Sequence, residues 1–260
     1  MKRRGRGALT TWLAVATAIG LLQLPALVFA ERPDGTPEEW RHPHGDEAYG
    51  MLLIDQLEYG VSDGHDVWRW DIDGWLGTDV HRLVLKSEGE RSASGDVEGE
   101  AEAQLLYARP LSPYWDLQLG LRQDVLFGPG TDRERTFAVL ALEGLAPQWI
   151  ELETSLFVSD DGDASLRVEA VHDLYITQRL VAQTRAELDA AFSDATRFGV
   201  RSGLGELELG LRLRYEMRRE LAPYVGINWT RKLGGTADLA RDSDEETDDF
   251  EILAGIRLWF

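Results

Sequence analysis

Apolar and polar residues alternate strictly along residues 204–215, which read LGELELGLRLRY. The leucines at 207, 209, 211 and 213 share one parity, and the charged residues at 206, 208, 212 and 214 share the other. On a helix, residues two apart lie about 200° from one another and would not collect on one side. The segment therefore predicts a β-strand with one apolar and one charged face.

The same period of two recurs along most of the chain and ends at Phe260. It predicts an all-β fold: a transmembrane, antiparallel, up-and-down β-barrel of the outer-membrane type with about 12 strands, 10 or 14 being the alternatives. Residues 135–145 are apolar on both faces and fit the pattern least well. The predicted strands are 51–60, 67–78, 80–91, 96–108, 114–126, 135–145, 148–158, 164–176, 179–192, 204–217, 222–232 and 249–260.

A soluble sandwich or a lipocalin-like barrel would show the same alternation with its apolar face turned inward. Three features favour the membrane barrel. Short connections alternate with longer polar ones, as periplasmic turns alternate with outer loops. The chain ends on Phe260 in an alternating strand, and seven of the nine tryptophans lie in or at the ends of strands, where interfacial girdles form. These tryptophans are Trp68, Trp70, Trp75, Trp115, Trp149, Trp229 and Trp259.

Residues 1–30 have the organisation of a signal peptide: a basic start, an apolar run from Ala8 to Val28, and a small residue, Ala30, at the cleavage position. An uncleaved membrane anchor is the alternative. Residues 31–50 have three prolines, many charges and no periodicity, which predicts a disordered periplasmic tail. The predicted organisation is therefore a signal peptide over 1–30, a tail over 31–50 and an outer-membrane barrel over 51–260.

The chain is strongly acidic, with a formal charge of -19 that becomes -23 once the four basic residues of the signal segment are removed. This sign excludes nucleic acid as a partner. There is no cysteine, so disulfides, thiolate metal sites and cysteine nucleophiles are excluded.

If the apolar face meets lipid, the charged face lines the lumen, where acids outnumber bases about two to one. One interpretation is that opposite charges form cross-strand ladders that fill a narrow barrel. The other is that the surplus carboxylates admit or hold cations. The acidic lumen residues chosen on this basis are Glu98, Glu100, Glu102, Glu151, Glu153, Glu206 and Glu208.

Metal ligands are few among the five histidines and three methionines. His42 and His44, two residues apart in the tail, can chelate a divalent metal, and copper(II) binds such donors most tightly. His65 lies in an outer loop between carboxylates, and Met51 and Met217 supply the remaining thioethers, too few for a multi-methionine copper(I) site. An outer-membrane enzyme would have to rely on Asp63, His65 and Asp66, which carry no accompanying hydrolase motif. We therefore expect no catalytic residues.

The chain from Asp55 onward resembles the copper resistance protein B family of Gram-negative outer membranes. The resemblance covers about four fifths of the chain. It implies an outer-membrane barrel of copper tolerance, contacting membrane lipid and copper ions and usually encoded beside a periplasmic multicopper oxidase. The residues that carry it are 55–59 (DQLEY), 68–75, 86–90 (KSEGE), 103–107 (AQLLY), 113–118 (PYWDLQ), 144–147 (GLAP), 177–180 (TQRL), 209–216 (LGLRLRYE), 221–226 (LAPYVG), 236–240 (TADLA) and the ending Trp259-Phe260.

Family members typically carry a methionine- and histidine-rich N-terminal region thought to bind copper. This chain keeps only His42 and His44 there and has no methionine between Met1 and Met51. Either the acidic lumen suffices for copper passage or another periplasmic protein supplies the metal. The predicted function is to bind copper ions, as cargo rather than as a tightly bound cofactor, or to pass them between periplasm and exterior. The alternative is a general small-solute or structural barrel without a metal role.

Overall fold

The computed structural model describes residues 48–62, 65–93, 98–128 and 133–260 and shows a closed antiparallel barrel of twelve strands. Each strand pairs with its neighbours along the chain, and the first pairs with the last to close the sheet. The predicted count and up-and-down order are confirmed, and every strand boundary lies within four residues of the prediction. The strands are β1 (Tyr49–Val61), β2 (Asp66–Gly77), β3 (Arg82–Ser92), β4 (Gly99–Ser112), β5 (Trp115–Phe127), β6 (Arg133–Ala146), β7 (Ile150–Ser159), β8 (Ala164–Tyr175), β9 (Leu180–Ala191), β10 (Gly203–Tyr215), β11 (Leu221–Lys232) and β12 (Asp248–Trp259).

The two ends of the barrel differ in the length of their connections. At the end that holds the start of β1 and the end of β12, here called the terminal end, no connection exceeds five residues. At the opposite end, here called the loop end, residues 192–202 and 233–247 form the longest connections. The second, one of the longer polar connections of the prediction, contains a helix that was not predicted, α1 (Gly234–Asp242), whose Thr236, Ala237 and Ala240 are buried against the barrel. No helix in the described residues is long and apolar enough to cross a membrane.

The distribution of side chains between the two faces of the sheet is the reverse of that in a soluble protein. On β10, Leu211 is 44 % exposed on the outer face, whereas Arg212 and Arg214 are each 2 % exposed on the inner face. The same holds on β4, where Leu105 and Tyr107 face outward and Glu102 is buried inside. An apolar outside around a charged inside requires a lipid solvent, so the barrel is transmembrane and the soluble alternative is wrong.

A bulge in β1 shifts the alternation by one residue. The register with β2 is interrupted between Ile54 and Gln56, and the register with β12 is interrupted between Ile54 and Glu58. As a result Asp55 and Gln56, although adjacent, both bond to residues of the interior, Asp55 to Arg257 and Gln56 to Arg212. Two residues on one strand oppose one on the partner at such a bulge, so the inward parity changes there.

The interior also has an apolar sector that was not predicted. It explains why residues 135–145 are apolar on both faces: one face of β6 meets lipid and the other packs inside. The guanidinium of Arg122 lies 4.4 Å from the ring centre of Phe157, and that of Arg135 lies 4.7 Å from the ring centre of Phe137. The buried residues of this sector are Val84, Leu106, Ala108, Phe137, Val139, Ala141 and Phe157, with Trp75 packed against them.

The tryptophans do not all lie in an outer girdle. Trp70 and Trp115 lie on the outer face and cover Gly89 and Gly144, where a Cβ atom would collide with the indole rings. Trp75 and Trp259, by contrast, line a cavity inside the terminal end. The prediction of an interfacial role is therefore wrong for these two, because their parity places them inward.

Replacing Gly255 by Val should destabilise the barrel by about 1–3 kcal/mol, since a crowded interior has no room for added methyl groups. A Cβ at Gly255 would lie 2.6 Å from the phenol ring of Tyr224 and 2.8 Å from the Cβ of Glu58. The urea midpoint of the refolded protein in detergent measures the effect. Ala254→Val, one residue away on the exposed outer face, is the control, and an equal midpoint shift for both variants would contradict the packing described.

Candidate metal centre and charged interior

The most buried charges of the interior form one ion pair between β1 and β10. Arg212 donates from Nε to Glu58 Oε2 at 3.1 Å and from Nη2 to Glu58 Oε1 at 2.9 Å. Tyr224 donates its hydroxyl to the same carboxylate at 3.0 Å, and Arg69 approaches it at 3.3 Å. Glu58 is 0 % and Arg212 2 % exposed, so the pair is fully removed from solvent. A buried pair persists only when additional hydrogen bonds satisfy both ions, as they do here.

Other ion pairs cross the lumen between strands that are not neighbours. Arg167 on β8 lies 3.4 Å from Glu88 on β3 and 3.4 Å from Glu102 on β4. Arg185 on β9 lies 3.2 Å from Asp71 on β2. Since these strands lie four or five positions apart around a twelve-stranded barrel, the guanidinium groups bridge the lumen from wall to wall.

Not every inward carboxylate has such a partner. Glu102 pairs with Arg122 at 2.6 Å, and Glu153 pairs with Lys86. Of the seven acidic lumen residues predicted from the sequence, the other five have no ion pair within 4.0 Å among the described residues. One of them, Glu98, lies exposed just before β4. Both interpretations of the lumen therefore apply, the ladders to some residues and the surplus charge to others. The unpaired members are Glu98, Glu100, Glu151, Glu206 and Glu208.

Three potential metal ligands meet at the loop end, where β12 closes against β1. One ligand atom from each of His65, Asp249 and Glu251 lies within 4.8 Å of the other two. Nε2 of His65 is 3.7 Å from Oδ2 of Asp249. The side chains are 45 % (His65), 25 % (Asp249) and 5 % (Glu251) exposed, so the group leads from the surface into the barrel.

The imidazole of His65 is oriented by the turn that holds it. Ser62 Oγ lies 3.2 Å from Nδ1, and the backbone N–H of Ser62 donates to the carbonyl of His65 at 3.1 Å. This leaves Nε2 directed toward Asp249. Metal-binding histidines are commonly fixed through the nitrogen that does not bind the metal.

Arg69 occupies the inner side of this group. Its Nη1 and Nη2 contact the two carboxylate oxygens of Glu251 at 2.9 Å and 3.3 Å. Its Nη2 also donates to Glu90 at 3.1 Å. Arg69 thus holds three carboxylates, those of Glu58, Glu90 and Glu251.

A second feature lies at the terminal end, where a cavity of about 540 Å³ opens inside the barrel. Met51, Asp73 and Glu151 line it together with Lys86, whose ammonium is held by Glu143 at 3.0 Å. Met217 lies in the turn after β10, 55 % exposed and outside the residues that line this cavity. The structure therefore does not bring the two methionines into one site.

Comparison with known proteins assigns the family. The family model described as "Copper resistance protein B precursor (CopB)" matches residues 48–260. The chain belongs to the copper resistance protein B family. It is 41 % identical over 238 residues to the copper resistance protein B of Escherichia coli, covering 91 % of this chain and 78 % of that protein. It is 38 % identical over 238 residues to the copper resistance protein B homolog of Pseudomonas syringae pv. tomato, covering 91 % and 79 %.

Solved structures show the same architecture at low identity. The NanC porin superposes with a TM-score of 0.54 and 13 % identity, covering 80 % of this chain and 98 % of the porin. This likeness extends to the fold alone. Together with the family, it makes the chain an outer-membrane barrel of copper resistance.

For this member of the family, the predicted metal residues fall in separate places. His65 joins the group at the loop end, Met51 lines the cavity at the terminal end, and Met217 lies apart from both. His42 and His44 lie outside the described residues. Of the residues considered for hydrolysis, Asp63 is also outside them, and Asp66 accepts a hydrogen bond from the hydroxyl of Tyr59 at 2.7 Å.

Sequence reasoning missed the partners of His65 and the central ion pair. Asp249 and Glu251 are far from His65 along the chain, and only the pairing of β1 with β12 brings them together. An up-and-down barrel closes its first strand on its last, so the general proximity of the two strands was predictable, but the approach of these two side chains to His65 was not. Glu58 was missed because the bulge in β1 reverses its parity, and no residue in the sequence marks that bulge.

Replacing Arg212 by Met should destabilise the barrel by about 3–5 kcal/mol, because Glu58 would stay buried without its main partner. The double variant Glu58→Gln/Arg212→Met should lose less than the sum of the two single variants. Urea midpoints of the refolded proteins report both effects. Arg197→Met is the control, since Arg197 is 78 % exposed and pairs with Asp161 at the surface. A loss for Arg212→Met no greater than for Arg197→Met would contradict the assignment.

Proposed function

We propose that this outer-membrane barrel binds copper ions or passes them between the periplasm and the exterior. The observation that carries the proposal is the line of inward carboxylates that runs through the barrel. It starts at Asp249 and Glu251 at the loop end and reaches Asp73 and Glu151 in the cavity of the terminal end. Membership in a copper resistance family makes copper the cation to consider.

The donor types favour copper(II) over copper(I). Oxygen and imidazole ligands suit the divalent ion, whereas copper(I) prefers thioether and thiolate. Met51 is the one thioether among the residues that line the terminal cavity. Copper is the cargo in this proposal and not a resident cofactor.

Passage along this line requires exchange of ionic partners. The guanidinium groups of Arg167 and Arg185 bridge the lumen, so an ion moves by replacing them at one carboxylate after another. Unpaired carboxylates such as Glu206 and Glu208 provide binding without displacing an arginine. Rings of carboxylates favour cations over anions in the same way in cation channels.

The remaining predictions are part of this proposal. We propose that residues 1–30 are removed as a signal peptide, and that residues 31–50 form a periplasmic tail in which His42 and His44 bind copper. A periplasmic multicopper oxidase of the same system is the proposed protein partner. We also propose that the barrel has no enzymatic activity of its own.

One observation favours the alternative of a structural barrel without a metal role. The wall-to-wall ion pairs of Arg167 and Arg185 stiffen the lumen whether or not copper is present. The two functions differ in the role of the unpaired carboxylates. They bind copper if the barrel passes it, whereas a purely structural barrel does not require them.

The test measures the copper concentration tolerated by a bacterial strain that lacks its own copper resistance protein B and expresses this chain instead. Glu206→Gln/Glu208→Gln should lower the tolerated copper concentration several-fold, because two unpaired inward carboxylates are lost. Asp160→Asn/Asp161→Asn, the same charge change in an exposed connection at the loop end, should leave it unchanged. Unaltered tolerance in both variants, at equal amounts of folded barrel in the outer membrane, would support the structural alternative.

A further inference from the structure

We propose that His65, Asp249 and Glu251 form a copper(II) site at the outer mouth of the barrel, and that Arg69 competes with the ion for Glu251. This inference rests on the proposed function for the identity of the ion. The ligand set alone indicates a divalent transition metal. One imidazole and two carboxylates bind copper(II) more tightly than zinc(II).

The separation of His65 and Asp249 fits two ligands of one ion. Two ligands that each lie about 2.0 Å from a metal are roughly 2.8 Å apart at a right angle and about 4.0 Å apart on opposite sides. The separation of 3.7 Å between His65 Nε2 and Asp249 Oδ2 lies in this range and is too long for a hydrogen bond. Glu251 completes the group within 4.8 Å, so a small inward adjustment closes the set around an ion.

The site is reachable from outside through His65, whose side chain is 45 % exposed. A cleft at the loop end includes Asp249 of the site and is otherwise lined by Ser62, by the other residues of 245–250 and by Val61 and Ile252. Four of the residues in 245–250 are acidic: Glu245, Glu246, Asp248 and Asp249. Like charges gathered in a cleft raise the local concentration of cations, which gives this acidic run a role in attracting copper(II) to the site.

Arg69 is placed to control what happens next. It contacts both oxygens of Glu251, so an ion that binds Glu251 must share or displace the guanidinium. Arg69 does not become an unpaired buried charge when it leaves, since Glu58 and Glu90 still hold it at 3.3 Å and 3.1 Å. Gly60 keeps the space around the carboxylate free, because a Cβ there would lie 3.0 Å from Glu251 Oε2.

The competition gives a site that releases its ion. A metal held by two carboxylates and an imidazole without a competing cation would bind tightly and leave slowly. The guanidinium can reclaim Glu251 when the ion departs, and it is joined through Glu58 to Arg212 in the centre of the barrel. Arrival of the ion at the mouth is thereby coupled to the central ion pair.

The experiment titrates the refolded mature chain with copper(II). Calorimetry measures the affinity, and electron paramagnetic resonance detects the coupling of copper(II) to nitrogen. All proteins carry His42→Ala and His44→Ala, so that imidazole signals from the tail are removed without deleting it. The parent should bind one copper(II) at the mouth with coupling to a single nitrogen. His65→Ala should abolish that coupling and weaken binding at least tenfold. Unchanged coupling and affinity in His65→Ala would overturn the site.

Arg69→Gln tests the competition. It should raise copper(II) affinity about tenfold, and adding His65→Ala should remove the gain. Arg122→Gln is the matched control, because it removes the same charge from the interior but contacts Glu102 and Asp124 instead. Arg69→Lys, which keeps the charge and loses the two-pronged contact, should give an intermediate affinity and serves if Arg69→Gln does not refold. An affinity for both Arg69 variants equal to that of the parent would overturn the competition.

Failure of this inference is distinguishable from failure of the proposed function. If His65→Ala binds copper(II) normally while Glu206→Gln/Glu208→Gln still lowers tolerance in cells, the mouth site is wrong and the function stands. If the mouth binds copper(II) as described but the cellular variant is unaffected, the site stands and the proposed use of the inward carboxylates in copper tolerance fails.

Discussion

The fully buried pair of Glu58 and Arg212 is the interaction on which the interior depends. Moving such ions out of water costs several kcal/mol each, so the cost must be offset by close contact between the two ions and by additional hydrogen bonds. Three features do so: the β1 bulge that turns Glu58 inward, the hydroxyl of Tyr224 and guanidinium of Arg69 that complete its hydrogen bonds, and glycines that leave room. Gly210, Gly226 and Gly255 lie on the inner face around the pair, where any side chain would collide with Arg212 or Tyr224.

The lipid solvent sets the second constraint. Apolar residues cover the outside, so polar residues must occupy a narrow lumen where each charge needs a partner. The arginines solve this by bridging between walls, and Arg122 and Arg135 also stack on the phenylalanines of the apolar sector. Acids still exceed bases, and the excess collects as unpaired carboxylates and as the acidic run at the loop end. The unpaired carboxylates, which no ion pair of the described interior uses, are the ones that we propose to bind or pass copper.

Strand number, order and boundaries could be predicted because a period of two is strong wherever one face meets lipid and the other is charged. The period does not distinguish the two faces where that contrast vanishes. β6 is apolar on both faces because its inner side packs in the apolar sector, and Trp75 and Trp259 were placed in a girdle although their parity points inward. The site was only partly predictable: His65 was identified from its neighbours, but Asp249 and Glu251 reach it only through closure of the barrel.

The most direct test of cation passage through the barrel is ion flux through the mature chain in liposomes that contain a copper-quenched fluorophore. We expect external copper(II) to quench the dye faster than in protein-free liposomes, and we expect chloride and sulfate to cross much more slowly than copper. A copper(II) rate equal to that of protein-free liposomes, or anions that cross as readily as copper, would contradict the claim that the inward carboxylates serve a cation.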